Sequence, residues 1–152
     1  MDYRELRRLL NKGIEMQQIK NQITAIEELQ FSIHQANIKA GWWTDLSTNM
    51  DLAEEVRQGT RLGKALVAEK LCLVHSEISE AMEGHRKSLK DDKLPHRPMV
   101  EVEMADAVIR ILDLCGALKL DLAGAIFEKL EYNRSREDHQ ISNRVKLNGK
   151  AY

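Results

Sequence analysis

Two acidic pairs carry the chemistry that this chain is equipped for. Glu77-Ile-Ser-Glu80 and Glu103-Met-Ala-Asp106 each set two carboxylates three residues apart, which makes them neighbours on one helical face with Cβ atoms ~5–6 Å apart. Two such helices packed side by side would point four carboxylates into one small space. Like charges so close resist ionisation, and a divalent cation resolves the conflict. A donor set of hard oxygens, with no His or Cys, favours Mg²⁺ (or Mn²⁺) over zinc.

The elements that must position these groups are legible around them. Arg61 to Lys90 is predicted as one helix, on which Leu62, Leu66, Leu73, Glu77 and Glu80 fall within ~60° of one another. The first pair therefore continues an apolar stripe; the bland reading is a stripe that simply runs out into solvent. Val100 to Leu118 is predicted as a second helix, apolar over most of its circumference and so expected to be buried. Its only polar stripe is Glu103, Asp106, Arg110 and Asp113, flanked by Ala107, Ile111 and Leu114 and opposed by Val102, Ala105, Ile109 and Leu112. The bland reading there is a solvated face with an internal Arg110–Asp106 pair. Between the two helices, residues 91–98 are polar and end on two prolines, a short connection suited to an antiparallel pair.

Glu77-x-x-Glu80 followed by Glu103-x-x-Asp106 resembles the metal signature of the all-α nucleoside triphosphate pyrophosphohydrolases. That superfamily includes MazG-like proteins, dimeric dUTPases, dCTP pyrophosphatases and phosphoribosyl-ATP pyrophosphohydrolase, and the small MazG-like branch matches best. The resemblance runs from about Ile23 to Lys150 and includes Gly41-Trp42-Trp43 and Lys129-x-x-Tyr132-Asn133-x-x-Arg136. One departure stands out: the fuller family motif is EExxE, and its first Glu corresponds to Ser76. Glu83, one further step of three along the helix, is the candidate replacement. The resemblance implies that Lys129 and Asn133 face the nucleotide with Tyr132 and Arg136 close by, and that the protein is a homodimer or homotetramer.

The rest of the chain sets the frame. With 152 residues, 43% hydrophobic and 31% charged, a single domain over 1–152 is expected. It divides into a possible N-terminal arm or extra helix (1–20), a helical core (21–134) and a basic tail (135–152). Only 8 Gly and 2 Pro, with apolar residues at helical spacing, predict an all-α bundle of four to five helices. A net charge of −1 gives no electrostatic footprint for nucleic acid. No apolar run approaches the ~20 residues of a membrane span, and no signal peptide is visible. Cys72 and Cys115 lie in predicted helices and read as small buried hydrophobes of a reducing cytoplasm.

Residues 1–38 read as helix interrupted near Gly13, with Ile19, Ile23, Ile26 and Ile33 as a narrow packing stripe. Gly41 is expected to end that helix, and residues 39–60 form the least regular stretch. Trp42 and Trp43 are either plugs of the bundle or an aromatic wall for a base. His34 and Asn37 are candidate hydrogen-bonding partners for that base. Gly116 and Lys119 are expected to end the second acidic helix, and Asp121 to cap a further helix running to about Tyr132 or Arg134. Lys129, Arg134, Arg136, Arg144, Lys146 and Lys150 make a local basic excess, usual for a solvated tail but also what a triphosphate needs beyond its metal.

Several other motifs fail. Gly59 to Ala65 has three residues between its glycines where a P-loop needs four, and Ala65 where a Mg²⁺-binding hydroxyl is required. Asn133-Arg-Ser135 is a glycosylation sequon by spacing only. No Glu has His three residues later, against a ferritin-like di-iron bundle. The expectation is therefore a Mg²⁺-dependent enzyme splitting an NTP or dNTP into monophosphate and pyrophosphate, with Glu77, Glu80, Glu103 and Asp106 as ligands. Glu77 or Glu80 would also orient or deprotonate the attacking water, and Lys129, Arg136 and Lys146 would neutralise phosphate. The implied role is clearance of unwanted nucleotides. The alternative is a non-catalytic helical oligomerisation module whose acids are solvated.

Overall fold

The computed structural model describes residues 3–147, with side chains from Lys12 onward. It is mostly helical: α1 (Tyr3–Lys39), a two-stranded hairpin of β1 (Thr44–Asp45) and β2 (Met50–Asp51), α2 (Leu52–Gln58), α3 (Arg61–Lys87), α4 (Met99–Leu118), α5 (Leu122–Ser135), a 3-10 turn (Glu137–His139) and α6 (Ile141–Arg144). Among the described residues no helix is long and apolar enough to cross a membrane. Contacts divide the chain into two compact units, residues 1–27 with 121–152, and residues 28–120.

α1 is continuous through Gly13, contrary to the expected interruption. A helical glycine costs ~1 kcal/mol against alanine, which the Leu, Lys, Glu, Met and Gln around it offset by propensity. The isoleucine stripe is the inward face: Ile19, Ile23 and Ile26 are half-buried between exposed neighbours, and Ile33 is half-buried beside the buried His34. Within the first unit, Ile19 and Gln22 of α1 and Phe127 and Leu130 of α5 line a shallow cleft of about 430 Å³.

In the second unit, Gly41 ends α1 as expected. Its φ of +83° lies in the left-handed region. The Trp42 N–H donates to Asn37 O (3.1 Å) and the Gly41 N–H to Ile38 O (3.0 Å), satisfying carbonyls that the helix end leaves open. The stretch after it is more regular than its sequence suggests. β1 pairs antiparallel with β2, and Asp51 caps α2 by accepting from Glu54 N at 3.0 Å.

Thr60 caps α3 through Gly63 N, 3.0 Å away. Gly63 is dictated by packing, because a Cβ there would fall 2.0 Å from the carbonyl oxygen of Glu55. α3 stops at Lys87, before the expected Lys90, since Ser88 adopts φ +53° and closes the helix back onto Gly84 and His85. The turn is then held by Asp91, buried, whose Oδ1 accepts from Lys93 N (3.0 Å) and Leu94 N (2.5 Å).

α4 returns antiparallel: Gly84 abuts Met99, Glu77 bonds Arg110, and Leu66 and Val67 pack on the cluster that holds Leu114 and Ala117. Lys119, at φ +54°, ends it. Gly116 lies in the last turn of α4, as expected, and its carbonyl accepts from the Lys119 N–H at 3.2 Å; a Cβ there would meet His34 Cβ at 2.6 Å, so it is also a close-approach site. The core of this unit is small: Trp43, Ala53, Val56, Leu114 and Ala117, covered by Leu52, Leu66, Val67 and Leu118.

Within the expected basic tail, residues 137–144 form helical turns. Cys115 is buried as expected, but Cys72 is exposed, because it falls on the outer face of α3 beside Leu71. Asp121 does cap α5, accepting from Gly124 N at 2.8 Å.

A candidate metal centre and the cleft beside it

The antiparallel register of α3 and α4 brings the two acidic pairs together. Carboxylate oxygens of Glu77, Glu80 and Glu103 lie within 4.8 Å of one another. Glu77 and Glu103 are buried and Glu80 is exposed at the rim. Asp106, one turn beyond Glu103, is half-buried and near enough to feel the charge of Glu77, but the converging group is the other three acids without it. The acidic stripe of α4 therefore faces α3 and is not a solvated face.

Burial pushes the Glu103 carboxyl up to about 7, reinforced by its hydrogen bond with Glu77 and by the charges of Glu80, Glu77 and Asp106. Asp106 is raised as well, first by desolvation and then by the charge of Glu77. Arg110 is the one cation inside the group among the described residues. It pairs with Glu77 (Nε to Oε1, 2.6 Å), not chiefly with Asp106, and lowers Asp106 only through space. Glu83, the candidate replacement for the family's extra carboxylate, is instead held by Arg86 at 2.6 Å and by Lys87 at the basic end of its own helix. The Ser76 hydroxyl donates to Leu73 O at 2.8 Å and adds no ligand.

Asp106 and Arg110 also line a cleft of about 390 Å³, whose other walls include Asn37, Trp42, Trp43 and Lys70. The two tryptophans behave differently. Trp43 is 2% exposed and plugs the core, while Trp42 is 67% exposed at the cleft. Trp43 is also anchored: its Nε1–H donates to Asp113 Oδ1 at 2.9 Å, and Lys70 Nζ lies 4.7 Å from its ring centroid. His34 is buried behind it, donating through Nδ1 to the same Asp113 oxygen at 2.8 Å, with its ring edge-on to Trp43 at 5.6 Å and 73°. His34 is thus committed to Asp113, whereas Asn37 is half-buried at the cleft and its side chain makes no hydrogen bond among the described residues.

Lys70 is a site residue that the spacing signals without singling it out, and Arg110 and Asp113, named in the stripe, take site positions that the stripe alone does not assign. Lys70, Leu73, Glu77 and Glu80 follow one another at helical steps, and Arg110 and Asp113 extend the stripe begun by Glu103 and Asp106.

The basic candidates belong to the unit of residues 1–27 and 121–152. There Lys129 Nζ sits 4.6 Å from the Tyr132 ring centroid. Arg136 lies 5.9 Å from the same ring and bonds Asp138 twice, at 2.9 and 2.6 Å. Asn133 Oδ1 is buried with no hydrogen-bond partner among the described residues. Lys146 Nζ donates to Asn143 Oδ1 at 2.5 Å, and Lys150 lies outside the described residues.

The donor set fits a hard divalent cation. The group comprises carboxylate oxygens alone, close enough to share one ion, and the raised Glu103 and Asp106 register a crowding that a cation would relieve. Comparison of the chain with protein-family models, with curated proteins and with solved structures finds no match.

Proposed function

We propose that the protein is a Mg²⁺-dependent nucleoside triphosphate pyrophosphohydrolase of the MazG-like kind, releasing nucleoside monophosphate and pyrophosphate. The observation that carries this reading is the convergence of Glu77, Glu80 and Glu103 from two antiparallel helices, opening beside a cleft walled by an exposed tryptophan.

Glu77, Glu80, Glu103 and Asp106 would hold Mg²⁺, or Mn²⁺ in its place. When bound, the ion supplies Lewis-acid polarisation of phosphoryl oxygens and neutralises part of their charge. Arg110, lining the cleft and paired with Glu77, offers a guanidinium to the same phosphates. Glu80 is the exposed carboxylate of the group, so its oxygens can receive the proton of a water entering from solvent and aim that water at phosphorus. Glu77, tied to Arg110, is the less available base. Trp42 offers a π face to the base, and Asn37 a free amide. Lys129, Asn133, Tyr132, Arg136 and Lys146 come into the reading through the family resemblance, as further triphosphate contacts. Clearance of unwanted nucleotides in the cytoplasm is the role this implies.

The reading includes a homo-oligomer. Leu71, Ile78 and Met82 recur along α3 and Met104, Val108 and Ile111 along α4, all exposed. In an antiparallel pair both stripes lie on one side, about 100° around each helix from their mutual contact and away from the cleft. A second copy packing on that side would complete a four-helix bundle.

The alternative, a non-catalytic oligomerisation module, is favoured by the Arg110–Glu77 pair, which gives one buried acid a partner within the fold. Melting curves separate the two. A real site raises the midpoint with Mg²⁺ by mass action, and Glu80→Gln or Asp106→Asn removes both that shift and turnover while the fold persists. A midpoint indifferent to Mg²⁺ in the wild type favours the module.

A further inference from the structure

The cleft contains a buried acceptor that the metal chemistry leaves unused. Asp113 is 5% exposed and lines the cleft near the C-terminal end of α4. Its Oδ1 accepts two hydrogen bonds, from Trp43 Nε1 at 2.9 Å and from His34 Nδ1 at 2.8 Å. That uses both in-plane lone pairs of Oδ1. Oδ2 accepts none among the described residues, yet it is not among the fully enclosed polar atoms that lack a partner, and the residue lines the cleft. A ligand that covers this acceptor without meeting it would leave it desolvated, at a cost of ~1–3 kcal/mol, so a ligand that meets it is selected.

The carboxylate is also rigid. Trp43 is packed in the core. His34 is fixed edge-on to Trp43, and its Cβ and ring press on Gly116, where a Cβ would stand 2.6 Å from the His34 Cβ. Two donors on one oxygen therefore set the plane in which Oδ2 is offered. On the same cleft stands Asn37, whose amide is free to donate or accept.

We propose that Asp113 determines base specificity, its Oδ2 accepting the exocyclic amino group of cytosine or adenine while Asn37 Nδ2 donates to the adjacent ring nitrogen. The inference rests on the reading of this cleft as a nucleotide site, and it names the substrate class: triphosphates of amino bases. Cytosine and adenine each carry an N–H₂ donor beside a ring acceptor, the pattern that one carboxylate oxygen and one amide N–H complement. Uracil, thymine and hypoxanthine put a carbonyl oxygen where the amino group stands, which sets lone pairs against a carboxylate. Guanine would need a carboxylate with two free oxygens to receive its two N–H donors, and Oδ1 is already committed. A site built around a hydrogen bond rejects the analogue lacking it far more strongly than a hydrophobic pocket rejects a change of size.

The test compares pairs that differ at that one position, CTP with UTP and ATP with ITP, in kcat/KM for pyrophosphate release. The wild type should favour the amino member of each pair by roughly 10²-fold or more. Asp113→Asn retains an oxygen for Trp43 and His34 but offers an amide N–H₂ in place of Oδ2, so it should reverse the ranking toward UTP and ITP. Equal or keto-favouring use of the pairs by the wild type would overturn the proposal. So would an Asp113→Asn protein that loses stability with its ranking unchanged, which marks a purely structural carboxylate. Equilibrium binding of CMP, AMP, UMP and IMP, followed by tryptophan fluorescence, separates this inference from the hydrolase reading. Amino-selective binding without turnover of any triphosphate keeps Asp113 and removes the hydrolase, and no binding of any of the four removes Asp113.

Discussion

Glu103 is where the competing demands on this chain meet. Its carboxyl is raised to about 7 by burial and by the acids around it, whereas in an unfolded chain it titrates near 4.5. Between those values the unfolded chain has released a proton that the folded chain retains. The stability that Glu103 contributes to the metal-free protein is therefore lost as pH rises from about 4.5 to 7, with no further loss above that. Melting in chelator across pH 4.5–8 should trace this decline, and a midpoint that instead rises through pH 5–7 would contradict it. A cation needs the carboxylate, so Mg²⁺ binding below pH 7 must displace the Glu103 proton. Calorimetry in buffers of different ionisation enthalpy should detect that release near pH 6 and little of it at pH 8. Glu103→Gln removes a buried charge and keeps the shape. We expect it to stabilise the metal-free protein at pH 8 by roughly 1–3 kcal/mol while abolishing Mg²⁺-dependent activity, a trade of stability for function. Loss of stability in that variant, measured by denaturant titration in chelator, would mean that Glu103 serves the fold.

The elements owe their arrangement to close approaches that single residues permit. Gly63 lets the start of α3 cross the end of α2, with a Cβ position only 2.0 Å from the Glu55 carbonyl oxygen. A backbone cannot yield as a side chain does, so Gly63→Ala should cost about 2–3 kcal/mol in denaturant unfolding. Gly13, helical with nothing within 4 Å of its Cβ position, is the control: Gly13→Ala should be neutral or stabilise by up to ~1 kcal/mol. The acidic helices were legible because their signals are local. Carboxylates three residues apart and an apolar circumference survive without any knowledge of the partner helix. The end of α4 at Lys119 was legible too, but that of α3 was not, because Ser88 adopts a left-handed cap of the kind that glycine usually supplies. α2 went unread since its seven residues are too few to show a period, although Asp51 and Gly59 bracket it. The clamp of Trp43 and His34 on Asp113 could not be read at all, because it joins residues 70 and 79 positions apart that only the packing of α1 against α4 brings together.

For the whole molecule, the second unit leaves Leu71, Ile78, Met82, Met104, Val108 and Ile111 uncovered, around a core whose buried apolar members are few. Charges placed on that side should block assembly with a second copy. Met82→Asp with Val108→Asp should lower the mass found by light scattering from dimer or tetramer to monomer at micromolar concentration, whereas Leu46→Asp, 88% exposed on the hairpin, should leave it unchanged. A wild type that is monomeric throughout would contradict the proposed assembly. The hydrolase reading stands or falls on the products. Phosphorus NMR of the wild-type protein incubated with Mg²⁺ and a panel of nucleoside triphosphates reads them directly. Nucleoside monophosphate and pyrophosphate are expected in equal amounts, absent in chelator and absent with Glu80→Gln; nucleoside diphosphate and orthophosphate, or no magnesium-dependent product from any nucleotide, would contradict a pyrophosphohydrolase.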